Sequence, residues 1–144
     1  MKIESSAFTA GAIIPKKYTC QGEDINPPLT VSGLPEGTKS VALIVDDPDA
    51  PMGTWVHWVV YNIPVQSPLS ISENSIPGAE GPNNFGQVHY GGPCPPSGTH
   101  RYFFKAYALD TELSVDEKMT KAELEKAMGG HLLAQAELIG LYKK

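Results

Sequence analysis

Hydrophobic residues in this chain come in short runs cut apart by glycine and proline, and the runs are rich in Val, Ile, Tyr and Phe, as strands are. Four runs stand out as strands: Leu29–Ser32, Ser40–Asp46, Val56–Ile63 and Arg101–Leu109. In the second, Val41-Ala42-Leu43-Ile44-Val45 is apolar on both alternating faces, which predicts a central strand covered on each side. If Thr54–Ile63 is one strand, strict alternation puts Trp55, His57, Val59 and Tyr61 on one face and Val56, Trp58 and Val60 on the other. One stretch reads as a helix. Thr120-Lys121-Ala122-Glu123 is a capping box, in which the threonine hydroxyl accepts from the Glu123 amide while the Glu123 carboxylate reaches back. Leu124, Ala127 and Met128 continue it as a short apolar stripe, and Gly129-Gly130 stops it. The periodicity of Leu132–Tyr142 leaves open a further helical turn or a final strand. The segment from Val65 to Gly98, rich in Gly, Pro, Asn and Ser, is expected as a long ordered loop region of a kind that is often functional. The fold class that follows is mainly β, a two-sheet β-sandwich with one or two short helices.

The length of 144 residues fits a single domain, 1–144. A domain of this size buries about 68–70% of its extended-chain surface and needs no metal or disulfide to hold a core. A formal net charge of -5 with no basic run argues against nucleic acid or an anionic membrane surface as the main partner. No window approaches the run of about 18 apolar residues that a membrane span needs. MKIESSAFTAGAIIP lacks the continuous apolar stretch of a secretory signal, so a cytoplasmic protein is expected. Cys20 and Cys94 are too few for a disulfide framework and form no CxxC pair, so they are read as separate thiols. The alternative, a single bridge, would matter most in a thermophile.

Two stretches carry candidate chemistry. In DDPDAPMGTWVHW, residues 46–58, Pro48 pushes Asp47 towards an extended conformation and should end the central strand. Asp49 can close the turn and Pro51 stiffens the exit, giving either an ordinary Asx turn or the acid-bearing rim of a pocket. His57 then faces the same way as Trp55, and a nearby carboxylate can fix its tautomer and raise its pKa. In YGGPCPPSGTHRYFF, residues 90–104, the glycines permit close approach or positive φ, while Pro93, Pro95 and Pro96 stiffen the loop. Backbone amides at Ser97, Gly98 and Thr99 could meet an anion there. His100, Tyr102 and Phe104 then share one strand face, with Arg101, Phe103 and Lys105 on the other.

Taken together, DPDAP followed by Trp-x-His and then GPCPPSGTHRY resembles the phosphatidylethanolamine-binding protein family, which includes Raf kinase inhibitor protein. IPKKYTCQGEDINPPLTVSGLP near the start and HLLAQAELIGLYKK at the end resemble its bacterial and archaeal branch, so the resemblance covers nearly the whole chain. It implies a β-sandwich with a small anion-accepting pocket at one end of a central sheet. Asp47, His57, Pro95, Pro96, His100 and Tyr102 match the pocket, and Asp49, Trp55 and Arg101 match supporting positions around it. It also implies that Leu132–Tyr142 is a closing strand. Eukaryotic members extend into a C-terminal helix that helps cover the pocket; this sequence ends at Lys144, and a pocket without that cover is expected.

The implied function is non-enzymatic binding of phosphate, a phosphorylated headgroup or a carboxylate. A ligand-modulated regulator or inhibitor of a kinase or protease is a further role the family permits, and so is a homodimer, although no exposed apolar stripe in the sequence demands one. The rival is a small hydrolase using Asp, His and Tyr as acid and base. Ser97 lies three residues from His100 on a stiff turn without a GxSxG elbow, which disfavours a serine nucleophile. No cofactor or metal is expected: His57 and His100 lack HExxH-like spacing, and no cysteine adjoins either.

Overall fold

The computed structural model describes residues 1–114 and 118–144. Among these residues, eight strands run in chain order as β1 (Lys2–Glu4), β2 (Leu29–Ser32), β3 (Ser40–Asp47), β4 (Trp55–Ile63), β5 (Leu69–Ile71), β6 (Ala79–Gly81), β7 (His100–Leu109) and β8 (Leu132–Tyr142). One α-helix, α1 (Lys121–Met128), lies between β7 and β8, and a single 3-10 turn spans Lys16–Tyr18. All strand pairs are antiparallel, in a three-stranded sheet of order β1-β2-β5 and a five-stranded sheet of order β6-β4-β3-β7-β8. The four strong strand predictions hold to within a residue at each end. Leu132–Tyr142 is a strand, paired along β7 from Leu109↔Leu132 to His100↔Tyr142. The stretch from Val65 to Gly98 is not loop throughout, because it contributes β5 and β6, each only three residues long and too short for a period-two signal.

The double-sided apolar character of β3 has a direct structural cause. Val41, Leu43 and Val45 join the core between the two sheets, with Trp58, Val60, Tyr102 and Phe104. Ala42 and Ile44 join a second core under α1, with Val59, Tyr61, Leu124 and Met128. The five-stranded sheet is thus the middle of three layers, and β3, at its centre, has water on neither face. The capping box on α1 is formed: Glu123 N donates to Thr120 Oγ1 at 3.2 Å and Thr120 N donates to Glu123 Oε1 at 3.0 Å. An eight-residue helix is marginal alone, so the burial of Leu124 and Met128 against β4 and β3 holds it in place.

Two features depart from the sequence reading. Cys20 and Cys94 are joined in a disulfide across a sequence separation of 74, where separate thiols were expected. Partners this far apart in sequence leave no local signature, because folding alone brings them together. A bridge closing a loop of this length stabilises by about 4 kcal/mol in chain-entropy terms. Strict alternation also fails in β4. Val45 pairs with Trp58 but Asp46 pairs with Val56, so His57 is the extra residue of a β-bulge. Among the described residues, no helix is long and apolar enough to cross a membrane.

Candidate functional site

The bulge decides which way His57 points. Val59 and Tyr61, expected on its face, belong to the core under α1, whereas His57 packs edge-on to Tyr102 with ring centroids 5.3 Å apart on the opposite side. The extra residue resets the register, so Trp55, His57 and Trp58 all lie on the side of β3 that carries Asp47. Being unpaired in the ladder, His57 also lends its carbonyl to the neighbouring loop, accepting from Gly91 N at 3.0 Å and from Asn83 Nδ2 at 3.1 Å.

At the end of β3 the two adjacent acids part company. Asp46 turns towards α1 and accepts from Lys105 Nζ at 3.0 Å and Lys121 Nζ at 2.8 Å. Asp47 turns towards the site, 3% exposed, and its Oδ1 accepts from the Asp49 amide at 2.7 Å, the turn that Pro48 initiates. Its Oδ2 lies 2.6 Å from His100 Nδ1, which places the Nδ1 proton on the imidazole facing the carboxylate. Asp49 is a clamp. It accepts from Arg101 N and Nε, both at 2.9 Å, and from the Arg101 guanidinium terminus at 2.8 Å, fixing the start of β7 to the end of β3. Those hydrogen bonds from Arg101 hold the Asp49 carboxyl down at about 2.

His57 behaves differently from His100. Its Nδ1 lies 2.7 Å from the Gly91 carbonyl, which can only accept, so the Nδ1 proton is there and Nε2 keeps its lone pair. Burial lowers its pKa below the ordinary 6.5, outweighing the Gly91 carbonyl and the Asp47 charge, both of which act to raise it. The expectation that a nearby carboxylate raises it is therefore corrected: desolvation of a residue 2% exposed wins. Because the folded pKa lies below the unfolded one, the unfolded chain binds the extra proton. Stability from this group is complete above about 6.5 and is lost as pH falls below it. The denaturation midpoint should fall between about pH 7.5 and about pH 5. Replacing His57 by Asn should flatten that part of the profile, measured by urea titration at each pH.

The second stretch closes the site from the other side. Gly91 and Gly92 serve close approach, and neither has positive φ: a Cβ on Gly91 would strike the Phe85 ring, and one on Gly92 the Tyr18 carbonyl and the Asp24 carboxylate. Gly92 N donates to Asp24 Oδ1 at 2.7 Å, and Tyr90 Oη to the Tyr18 carbonyl at 2.8 Å, so the loop is seated on the 3-10 turn and the segment after it.

Between these walls is a cavity of about 230 Å³. Asp47, His57, Pro95, Pro96, His100, Tyr102 and Trp55 all line it, while Asp49 and Arg101 stand behind it as the clamp. Sequence reasoning missed four lining residues: Ala50, Pro51, Phe85 and Cys94. Phe85 packs edge-on to both Trp55 (5.6 Å) and His57 (5.2 Å), and its one sequence signal is to be an aromatic in an otherwise polar, glycine-bearing turn. Ser97, Gly98 and Thr99, whose amides were expected to meet an anion, do not line the cavity. Tyr102 is the unusual member. It is fully buried, and its hydroxyl has no hydrogen-bond partner among the described residues. The Cys94 backbone and the Asp47 carboxylate lie near it without meeting hydrogen-bond geometry. Burial, reinforced by the Asp47 charge, raises its pKa, so the phenol keeps its proton and is a donor. Among the described residues, no group of three His, Cys, Asp or Glu side chains is placed to hold a metal ion.

The sequence and the fold both have known relatives. The sequence model described as phosphatidylethanolamine-binding protein matches residues 4–143. A UPF0098 protein from Methanothermobacter thermautotrophicus is 48% identical over 152 aligned positions, covering 100% of this chain and 99% of the relative. The crystal structure of a phosphatidylethanolamine-binding protein homolog from Chlamydia trachomatis superposes with a TM-score of 0.94 at 48% identity, covering 99% of this chain and 97% of that one. Escherichia coli YbcL, described as a member of the mammalian PEBP family, superposes with a TM-score of 0.90 at 33% identity, covering 99% and 98%.

Proposed function

Because the chain belongs to the phosphatidylethanolamine-binding protein family, we propose that it is a non-enzymatic binding protein whose pocket takes a small oxyanion: phosphate, a phosphorylated headgroup or a carboxylate. The observation that carries this reading is the Tyr102 hydroxyl, a buried donor in the wall of the cavity with no acceptor among the described residues. A buried unpaired polar group costs about 1–3 kcal/mol, which an anionic ligand oxygen would recover. The two histidines divide the remaining work. His100, with Asp47 2.6 Å from its Nδ1, can take a second proton at Nε2 and donate it to the ligand, the carboxylate balancing the new charge. Neutral His57 offers an acceptor at Nε2, which suits an anion that still carries a proton. Asp47, misplaced beside an anion on first inspection, is thereby explained as the counter-charge of His100.

This arrangement favours a phosphate monoester or hydrogen phosphate over sulfate at neutral pH, since sulfate has no proton for His57. A few charged hydrogen bonds at about 1.5–3 kcal/mol each, less ordering and desolvation, leave a dissociation constant of about 0.1–1 mM. NMR titration of the His57 and His100 ring signals with inorganic phosphate tests it. Binding should tighten as pH falls from about 8 to about 6, as more of the phosphate carries a proton for His57 Nε2 to accept. Binding that ignores pH and survives His100→Ala would sink the pocket reading. Catalysis is the weaker reading, because Ser97 is exposed, does not line the cavity and makes no described hydrogen bond to His100.

The finer role, a regulator or inhibitor of a kinase or protease, draws support from the rim. Trp55 and Phe85 line the cavity and are exposed, so a docking partner would cover the occupied pocket. The cytoplasmic expectation changes with the bridge. Oxidised Cys20 and Cys94 suit an oxidising compartment, or the interior of a thermophile, where disulfides persist.

A further inference from the structure

The bridge and the pocket share a residue. Cys94 lines the cavity, and its neighbours Pro95 and Pro96 form one wall. Hydrogen bonds anchor the loop up to Pro93, whose carbonyl accepts from Cys20 N at 3.1 Å. They resume at His100, which faces Asp47. Between these points, among the described residues, no hydrogen bond holds the backbone of Cys94, Pro95, Pro96, Ser97, Gly98 or Thr99. Two of the six are prolines and have no N–H to give. The disulfide is therefore the covalent tether of the wall, acting beside the packing of buried Pro95, and its other end is well fixed. Thr19 N donates to the Lys16 carbonyl at 3.1 Å, Gly22 N to the Thr19 carbonyl at 3.0 Å and Asp24 N to the Lys17 carbonyl at 3.0 Å. Cys20 is exposed and Cys94 half-buried, so a reductant can reach the bridge without unfolding the chain.

We propose that the Cys20–Cys94 bridge is a redox latch on the pocket, a regulation that rests on the anion-binding reading above. Oxidised, it holds the Pro95–Pro96 wall and the Cys94 backbone against Tyr102; reduced by a dithiol, it releases them and weakens anion binding. A thiolate of the dithiol attacks Cys20 Sγ, the S–S bond breaks, and Cys94 leaves as a thiolate that takes a proton from solvent. The second thiol of the reductant then displaces Cys20 Sγ. Two electrons and two protons have passed to the protein, giving two thiols and the disulfide of the reductant. Because the Cys20 N–H to Pro93 bond and the Gly92 to Asp24 bond remain, the freedom gained is confined to residues 94–99.

The test compares the oxidised protein, the dithiothreitol-reduced protein and Cys20→Ser, each titrated with inorganic phosphate. Reduction should weaken phosphate about tenfold by removing preorganisation. Cys20→Ser should match the reduced protein and ignore further reductant. Nitrogen-15 relaxation gives a readout that needs no ligand. Order parameters at Ser97, Gly98 and Thr99 should fall on reduction towards about 0.6, while β3 and β7 stay near about 0.85. Unchanged relaxation at these three residues would overturn the latch whether or not phosphate binds. Equal phosphate affinity in the two states, with binding still dependent on His100, would overturn its effect on the ligand. Failure of the oxidised protein to bind phosphate would instead overturn the anion reading, and the affinity half of the latch with it. Loss of order throughout β3 and β7 would also overturn the proposal, making the bridge a staple of the whole fold.

Discussion

Replacing Asp47 by Ala should lower the unfolding free energy by about 3–5 kcal/mol and abolish phosphate binding, the largest single effect expected in this protein. Two donors depend on its carboxylate: His100 Nδ1 at 2.6 Å and the Asp49 amide at 2.7 Å. His100 is 6% exposed, so water cannot take over the imidazole N–H, and each buried donor left unpaired costs about 1–3 kcal/mol. The Asp49 amide begins the turn that brings Asp49 onto Arg101, so the clamp between β3 and β7 loosens as well. Asn at position 47 keeps an acceptor oxygen but carries no charge. It should retain most of the stability while losing most of the affinity, because the negative charge beside His100 is gone. Urea denaturation and phosphate titration on the two variants separate these outcomes. An Asp47→Ala protein as stable as the parent would mean that the pair contributes nothing to the fold.

Gly92→Ala should destabilise by about 2–4 kcal/mol, a large effect for one methyl group. Its new Cβ would meet the Tyr18 carbonyl, the Asp24 carboxylate and the Thr19 Cα, and two of these three neighbours are backbone, which cannot swing away. Relief requires the loop to lift from the 3-10 segment, which breaks the Gly92 N to Asp24 Oδ1 bond and shifts the Pro95–Pro96 wall. Phosphate affinity should fall together with the thermal midpoint. Gly98→Ala is the control: nothing lies within 4 Å of a Cβ there, although its φ of 69° adds some backbone strain. It should cost about 1 kcal/mol.

The parts of the fold legible in the sequence were those set by local periodicity. β3 announced its two-sided burial through Val41–Val45, and α1 announced its start through Thr120 and Glu123. β8 was ambiguous because its pattern is diluted by exposure: its first six residues are exposed or half-buried, so burial imprints no clean alternation. The candidate site was legible as two stretches, and Asp47 does lie against a histidine. Which histidine it would meet was not, because His57 and His100 both lie on strands flanking β3 and the choice depends on a one-residue register shift. The same holds for the cysteines and for Phe85. Phe85 reaches the cavity only because Asn83 shapes its turn, accepting from Phe85 N at 2.9 Å and from Gln87 N at 3.1 Å. These are tertiary arrangements that no window of local sequence contains.

The bulge at His57 has a genetic reading. Removing that one residue would leave β3 and β4 in unbroken register from Val45 to Asp47, with Trp58 following Val56 directly. A three-nucleotide deletion would thus regularise this end of the strand and erase one wall of the site, leaving the second irregularity, between Val41 and Leu43, where it is. The sandwich and its pocket are therefore separable in heredity: the histidine behaves as an insertion at the end of the strand that borders the site.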